Sequence, residues 1–128
     1  MNDSDGKIAP EWLDRAESIL AHARKIRAIL DKRIAAFGLS EPELALLWAC
    51  IASPPEGRGQ RELADFLAVS TAQISLMVER LSRAGILQGR VAEDDRRRRI
   101  WQPTAAGREL WTSIVQSFKD LDQYRGAA

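Results

Sequence analysis

The residues best suited to chemistry lie in one stretch of this 128-residue chain, AEDDRRRRIWQPTAAG at positions 92–107. Two aspartates directly precede four arginines, and an Ile-Trp pair follows. Aspartate side chains accept hydrogen bonds from the backbone N–H groups of turns and pair with guanidinium groups. We therefore expect a loop of fixed shape that presents positive charge, in preference to an unstructured basic run.

The remaining sequence offers little for catalysis or metal binding. Its single histidine, His22, and single cysteine, Cys50, lie far apart and form neither a metal-ligand spacing nor a nucleophile–base pair. Gly57-Arg58-Gly59 precedes a helix but lacks the lysine and spacing of a P-loop. We predict no enzymatic activity, no cofactor and no metal. We expect an inert buried thiol at Cys50 and a surface or interface position for His22.

Positive charge is concentrated in the middle of the chain, although the net charge is only +1. Residues 58–99 carry nine arginines against six acidic residues, whereas residues 1–57 have a net charge of −2. A local basic patch is typical of nucleic-acid binding proteins. A solvated surface gives the same pattern, so the patch alone does not decide the function.

The chain has the composition of a soluble globular protein, with 45% hydrophobic and 29% charged residues. No apolar run reaches the roughly 20 residues of a membrane span. The acidic, polar start MNDSDGKIAP lacks the basic and apolar regions of a signal peptide. These features predict a single cytoplasmic domain that does not contact a membrane.

Apolar spacing predicts a mainly α-helical fold that begins with a long helix over residues 10–37. Apolar residues recur every three or four positions from Trp12 to Phe37. Such a helix is about 40 Å long, more than a small domain can cover, so we expect a partner chain along it. Gly38 ends this helix. Ser40 opens an apolar second helix to about residue 52 through a capping box.

The next segment predicts a winged helix-turn-helix. A tight turn at Ala68-Val69 separates two helices, and Ser70-Thr71-Ala72-Gln73 is a second capping box. Two short strands follow, and Thr104 then caps a final helix. The predicted third and fourth helices are residues 60–67 and 71–84, the strands 87–91 and 98–102, and the last helix 105–124. The single domain thus comprises an N-terminal dimerisation helix (10–37), the winged helix-turn-helix (40–103, wing 86–102) and a C-terminal dimerisation helix (104–124).

The N-terminal half of the fourth helix is the candidate for reading bases in the major groove. Its hydroxyl and amide groups can bond phosphates or base edges, while Ala72 and Leu76 suit thymine methyl groups. Gln73 could read an adenine or cap its helix, and one side chain cannot easily do both. Wing arginines suit the narrow, electronegative minor groove. The predicted DNA-binding residues are Ser70, Thr71, Ala72, Gln73, Ser75, Leu76, Arg80, Arg96, Arg97 and Arg98.

Arginines outside the wing are further candidates for contacts with the DNA backbone. For each of them, a position as an ordinary surface arginine is equally consistent with the sequence. These candidates are Arg58, Arg61, Arg80, Arg83 and Arg90.

Two consecutive segments of the chain resemble the MarR family of bacterial transcriptional regulators. They are LSEPELALLWAC and RELADFLAVSTAQISLMVERLSRAGILQGRVAEDDRRRRIWQPTAAGREL, which includes the wing motif DDRR. The resemblance covers residues 39–110 and implies a homodimeric winged-helix protein on double-stranded DNA with a pseudo-palindromic operator. It further implies a repressor, often released by a small ligand or an oxidant. The family often has arginine or another polar group where Thr71 and Leu76 stand, and its last C-terminal helix is missing or very short here.

Three tryptophans are candidates for binding a small-molecule effector. Trp12, Trp48 and Trp111 lie on helices that the family packs around its effector cleft, although core packing is the favoured interpretation for each. The alternative to DNA binding is a winged helix that serves as a protein-interaction module, because a fold alone does not decide function. The wing separates the two functions, since an adaptor has no evident need for its arginines.

Overall fold

The computed structural model describes residues 10–119. It confirms the predicted mainly α fold with a β-hairpin wing. This range contains five α-helices and a small antiparallel sheet, and a 3-10 turn (Ala35–Phe37) extends the first helix. The elements are α1 Glu11–Ile34, α2 Glu41–Ile51, β1 Arg58–Gly59, α3 Gln60–Leu67, α4 Thr71–Arg83, β2 Leu87–Val91, β3 Arg99–Pro103 and α5 Ala105–Ser117.

Local capping residues set most of the helix boundaries. Gly38 has a left-handed φ of 77°, which glycine adopts without a steric penalty, and it ends the first helical segment. The predicted capping box of α2 is complete. Ser40 Oγ accepts from the Glu43 N–H, and Glu43 Oε1 accepts from the Ser40 N–H at 3.0 Å. Thr104 Oγ1 likewise accepts from the Gly107 N–H at 3.0 Å and caps α5.

The predicted capping box of α4 forms only in half. Ser70 Oγ accepts from the Gln73 N–H at 3.0 Å, but the Gln73 side chain does not return a bond to the Ser70 backbone. The exposed start of α4 allows water to satisfy that N–H. The amide of Gln73 is therefore free for other contacts.

The apolar helix α2 lies at the centre of the core. Leu46, Leu47 and Ala49 are completely buried, and the inner faces of α3, α4 and β3 pack around them with Leu63 and Trp101. Each fully buried aliphatic side chain contributes about 1.5–3 kcal/mol to folding. The core thus holds α3, α4 and the sheet in one arrangement.

The wing belongs to a three-stranded sheet with the order β1-β3-β2. Its hairpin pairs Leu87 with Pro103 at the base and Val91 with Arg99 near the tip. The second strand starts at residue 99, one position later than predicted. Strand β1 was not predicted; its two residues pair with β3, Arg58 opposite Trp101. A two-residue strand has no periodicity of its own, and only the neighbouring β3 creates it.

Helix α1 extends away from this core. Ile34 is its one buried residue, while Trp12, Ile19, Leu20 and Ile26 are among its exposed large apolar side chains. The described part of α5 ends at Ser117. The predicted extension of the last helix to residue 124 lies outside the described residues.

Candidate nucleic-acid interface

Helices α3 and α4 meet at the tight turn that the sequence predicts. Ala68 has a left-handed φ of 58°, and the Val69 N–H donates to the Ala64 carbonyl at 3.0 Å. Helix α4 then buries a stripe of apolar residues against the core, as predicted. The stripe consists of Ile74, Met77, Val78 and Leu81. Its burial turns the opposite face of α4 outward.

The outward face of the first half of α4 is exposed and carries no charge. Leu76 is 71% exposed, the highest value among the exposed large hydrophobic side chains of residues 10–119. The first acidic or basic residue of α4 is Glu79. Hydroxyl, amide and methyl groups are therefore what this face presents: Ser70, Thr71, Ala72, Gln73, Ser75 and Leu76 are exposed.

The loop at the tip of the wing is held by its own aspartate, as predicted. Asp95 Oδ1 accepts from the Arg97 N–H at 3.0 Å and lies 3.6 Å from Arg97 Nε. The Asp95 carbonyl accepts from the Arg98 N–H at 3.0 Å, and the Ala92 N–H donates to the Arg98 carbonyl at 2.9 Å. These bonds close the loop while the Arg97 side chain stays 94% exposed.

Arg98 points inward and anchors the base of the loop. Its Nη2 lies 2.6 Å from Glu62 Oε1, and its Nη1 lies 3.8 Å from Asp94 Oδ1. Glu62 Oε1 also accepts from the Gly59 N–H at the start of α3 at 2.8 Å. The Gly59 N–H, followed by the Arg98 guanidinium, lowers the pKa of Glu62 below its usual range. One carboxylate thus joins the start of α3 to the wing.

A basic cleft of about 580 Å³ lies between the start of α3 and the wing. Arg61, Arg97, Arg98 and Arg99 line it together with Glu62. The Arg99 guanidinium lies 5.9 Å from the centre of the Trp101 ring. The guanidinium groups of Arg61 and Arg96 have no partner within residues 10–119, so their charge is available to a ligand.

The other candidate backbone-binding arginines have partners within the chain. Arg83 pairs with Glu79 at 2.8 Å, and Arg90 Nε donates to Gln102 Oε1 at 3.1 Å. Arg58 Nη1 donates to the Ala49 carbonyl at 2.9 Å. Arg80 bonds both carboxylate oxygens of Glu43. Sequence reasoning missed these partners because most lie far away along the chain.

The three tryptophans proposed for ligand binding occupy different environments. Trp12 is 68% exposed on α1, whereas Trp111 packs partly against the core. Trp48 is 44% exposed and lies 5.3 Å from the ring of Phe66. The favoured expectation of core packing is therefore wrong for Trp12 and incomplete for Trp48.

Cys50 is buried, as predicted, and His22 is exposed. Burial raises the pKa of the Cys50 thiol to about 12, against a smaller opposite effect of Arg58. The thiol is therefore protonated at neutral pH, and a protonated thiol is a poor nucleophile.

Residues 10–119 contain no cluster of three or more His, Cys, Asp or Glu side chains that could hold a metal ion. In the same range no single helix is long and apolar enough to cross a membrane. The segments Glu11–Phe37 and Glu41–Ile51 reach that length and composition only together, as a pair bent by 81°.

A helix-turn-helix followed by a β-hairpin defines a winged-helix protein. The sequence matches no protein-family model and no curated protein. Among solved structures, wild-type apo MarR from E. coli is 19% identical, with a TM-score of 0.79 over 91% of this chain and 82% of MarR. The S. aureus MepR–DNA complex is 21% identical, with a TM-score of 0.66 over 91% and 90% of the two chains.

CouR from Rhodococcus jostii RHA1, in a structure bound to p-coumaroyl-CoA, is 21% identical with a TM-score of 0.73 over 91% of this chain and 81% of CouR. Each of these similarities covers about nine-tenths of this chain. The fold of this chain is therefore the MarR-type winged helix, as the resemblance of its motifs implied.

Proposed function

We propose that this chain is a sequence-specific, double-stranded DNA-binding transcriptional regulator that acts in the cytoplasm as a homodimeric repressor. The observation that carries the proposal is the pairing of two surfaces. The exposed, uncharged first half of α4 has the groups needed to read bases, and the closed wing loop presents arginines beside it. The MarR-type fold of the MepR–DNA complex supports the same function.

Positive charge beside α4 would supply most of the affinity. Arg61 at the start of α3, and Arg96 and Arg97 at the wing tip, are exposed. Arginine side chains that neutralise phosphates release counterions and make DNA affinity depend strongly on salt. The uncharged face of α4 would then select the sequence. The individual contacts of Ser70, Thr71, Ala72, Gln73, Ser75 and Leu76 stay predictions.

A homodimer is supported by the exposed apolar residues of α1. A monomer would leave Trp12, Ile19 and Ile26 in water, and contiguous exposed apolar surface is typical of interfaces. A twofold dimer places two recognition helices on half-sites of a pseudo-palindromic operator, about 34 Å apart. We expect light scattering to show a dimer for the wild type and a monomer for Ile19→Glu/Ile26→Glu. Arg24→Glu, on the polar face of the same helix, is the matched control.

Modulation by a small molecule is supported by a cavity of about 320 Å³ that reaches the recognition helix. It lies between α1, α2, the turn after α3, and α4, where Gln73 and Met77 line it. None of Trp12, Trp48 and Trp111 lines this cavity. A ligand there would contact α4 directly, and the structure of CouR with p-coumaroyl-CoA supports effector binding by this fold.

DNA binding can be tested on the promoter region of the gene that encodes the protein. Fluorescence anisotropy of labelled fragments is expected to show saturable binding that resists excess unrelated DNA and weakens steeply as salt increases. Equal affinity for every fragment, or affinity independent of salt, would contradict the proposal. Footprinting of the bound fragment then gives the spacing of the two half-sites.

One observation favours the alternative of a protein-interaction module. The exposed rings of Trp48 and Phe66 form a small aromatic patch, and the Arg58 guanidinium lies 4.1 Å above Phe66. Aromatic and arginine residues are enriched at protein interfaces. If the wild type shows no specific DNA affinity and Trp48→Ala/Phe66→Ala abolishes regulation in cells, this patch recruits a protein in place of DNA.

A further inference from the structure

We propose that Glu43 is a positioning residue for DNA reading. It holds Arg80 and so fixes the recognition helix α4 against the α1–α2 corner. This inference rests on the proposed DNA-binding function. The sequence suggests Arg80 as a DNA contact, but in this inference Arg80 positions α4 through its bonds with Glu43.

Glu43 and Arg80 form a bidentate pair in which both carboxylate oxygens take part. Arg80 Nε bonds Glu43 Oε2, and Arg80 Nη2 lies 2.6 Å from Glu43 Oε1. The same Nη2 donates to the Gly38 carbonyl at 3.0 Å, at the turn between α1 and α2. A planar guanidinium in a bidentate pair fixes orientation as well as distance. Arg80 therefore holds α4 at a defined angle.

The environment of Glu43 leaves Arg80 as its essential partner. Glu43 is 9% exposed, and among residues 10–119 it is the one charged residue classed as buried. Burial alone would raise the pKa of Glu43, but the bonds with Arg80 and Ser40 outweigh it and lower that pKa. A buried carboxylate without its partner is costly. If Arg80 bound a DNA phosphate instead, Glu43 would be left buried without its partner, and binding would be weakened by that cost.

The Glu43–Arg80 pair, called the clamp from here on, also connects the recognition helix α4 to α1, the proposed dimerisation helix. Glu43 lies in the first turn of α2, where the Glu41 N–H donates to Asp31 Oδ1 of α1 at 3.1 Å. The Arg27 guanidinium of α1 lies 3.3 Å from Glu41 Oε1. Polar contacts thus run from α1 through the start of α2 to α4. In a dimer built on α1, they would set the separation of the two recognition helices.

Arg80 lies far enough along α4 from the base-reading residues that a small tilt of the helix at Arg80 displaces them. At 1.5 Å per residue, Arg80 lies about 13 Å along α4 from Thr71. A tilt of about 10° at the clamp would move the reading end by roughly 2 Å. Hydrogen bonds to base edges tolerate only a few tenths of an ångström. Loss of the clamp should therefore reduce sequence-specific binding more than non-specific binding.

The competing role, a direct phosphate contact by Arg80, predicts the opposite effect for a change at Glu43. If Arg80 bound phosphate, Glu43→Gln would free the guanidinium and remove a negative charge, so DNA would bind more tightly. If Glu43 positions Arg80, the same substitution weakens binding. The sign of the change thus separates the two roles.

The experiment measures affinity for the specific fragment and for unrelated DNA across a salt series. Its variants are Glu43→Gln and Arg80→Lys, the latter keeping the charge but losing the bidentate geometry. Glu79→Gln and Arg108→Lys are matched controls. They make the same changes at exposed residues, Glu79 on the same helix and Arg108 on α5. Circular dichroism confirms that each variant is folded at the assay temperature.

We expect Glu43→Gln and Arg80→Lys each to weaken specific binding about tenfold, the size of one lost charge-assisted bond. The salt slope and non-specific affinity should match those of the wild type. On operators with half-sites moved one base pair apart or together, both variants should discriminate less than the wild type. The controls should differ from the wild type by less than twofold.

Tighter binding by Glu43→Gln would overturn the inference, as would unchanged specific affinity of folded Arg80→Lys. A salt slope reduced by about one in Arg80→Ala would identify a phosphate contact instead and also overturn it. If the wild type binds no DNA specifically, the proposed function fails and the inference fails with it. Failure of the inference alone leaves wild-type binding intact, so the two failures are distinguishable.

Discussion

The wing loop and the first half of α4 are neighbouring exposed surfaces with opposite chemistry. Residues 93–99 contain four arginines and three acidic residues, whereas residues 71–76 contain no charged residue. The wing loop is closed by bonds of Asp95 to the backbone N–H groups of Arg97 and Arg98. Helix α4 is held from behind by its buried stripe and by Arg80.

This difference indicates a division of roles between the two surfaces. Contacts with phosphates are strong, salt-dependent and insensitive to sequence, whereas contacts with base edges discriminate between sequences. The wing has the chemistry for the former, and α4 has the chemistry for the latter. Substitutions in the two regions should therefore have effects of different kinds, and the following experiments test that expectation.

Removal of the charge at the wing tip should have the largest effect. We expect Arg96→Ala/Arg97→Ala to weaken all DNA binding about a hundredfold at low salt. The slope of log K against log salt should fall by roughly two, one unit for each lost phosphate contact. Arg108→Ala, an exposed position on α5, is the control and should leave both quantities unchanged. A change confined to one DNA sequence would mean that the wing reads bases.

Removal of the Leu76 side chain should reduce discrimination between DNA sequences, with little effect on the salt dependence of DNA binding. If Leu76 contacts a thymine methyl group, replacing that thymine by deoxyuridine should weaken wild-type binding roughly fourfold, for one lost methyl contact. Leu76→Ala should bind the two DNAs equally. A scan of thymine-to-uridine changes across the footprint identifies the base. Equal losses in wild type and variant would show that Leu76 is not the contact.

Loosening the base of the wing should have a smaller effect. Glu62→Gln removes the carboxylate that joins Arg98 to the start of α3. Although this substitution removes negative charge, we expect binding to weaken about twofold, because an exposed ion pair contributes little. Hydrogen exchange of residues 92–99 should become faster. Unchanged exchange together with tighter binding would mean that Glu62 acts only as a charge.

Acid titration, which tests the contributions of Glu43 and Glu62 to stability, should show the smallest effect. The pKa of Glu43 and that of Glu62 are both lowered in the folded state, so each stabilises the fold at neutral pH. That contribution is lost as the pH falls below about 4.5 towards the folded-state pKa values. The wild type should therefore lose more thermal stability between pH 6 and pH 3.5 than either Glu→Gln variant. Each variant should remove part of the loss, because the lowered pKa of its carboxylate is what makes stability depend on pH in this range.

The elements themselves could be predicted because their signals are local. The predicted bounds of α3 and β2 agree with the structure, and Ser40, Gly38 and Thr104 act as predicted caps. Each signal uses residues at most four positions apart. The second capping box was only half correct, because α4 begins at an exposed turn where Gln73 gains little from folding back.

The roles of individual arginines could not be predicted in the same way. Arg98 finds Glu62 at a separation of 36 residues, and Arg80 finds Glu43 at a separation of 37. Nothing near either arginine in sequence indicates these partners. Strand β1 illustrates the same limit, since its two residues form a strand only where β3 lies beside them.

The sequence by itself determined the succession of helices, their caps and the closed arginine loop, because bonds between near neighbours require no knowledge of the fold. The tertiary structure decided which arginines remain available to a ligand and which hold the domain together. Burial and long-range pairing set the free energy of a charge, and both depend on elements that meet only after the chain has folded.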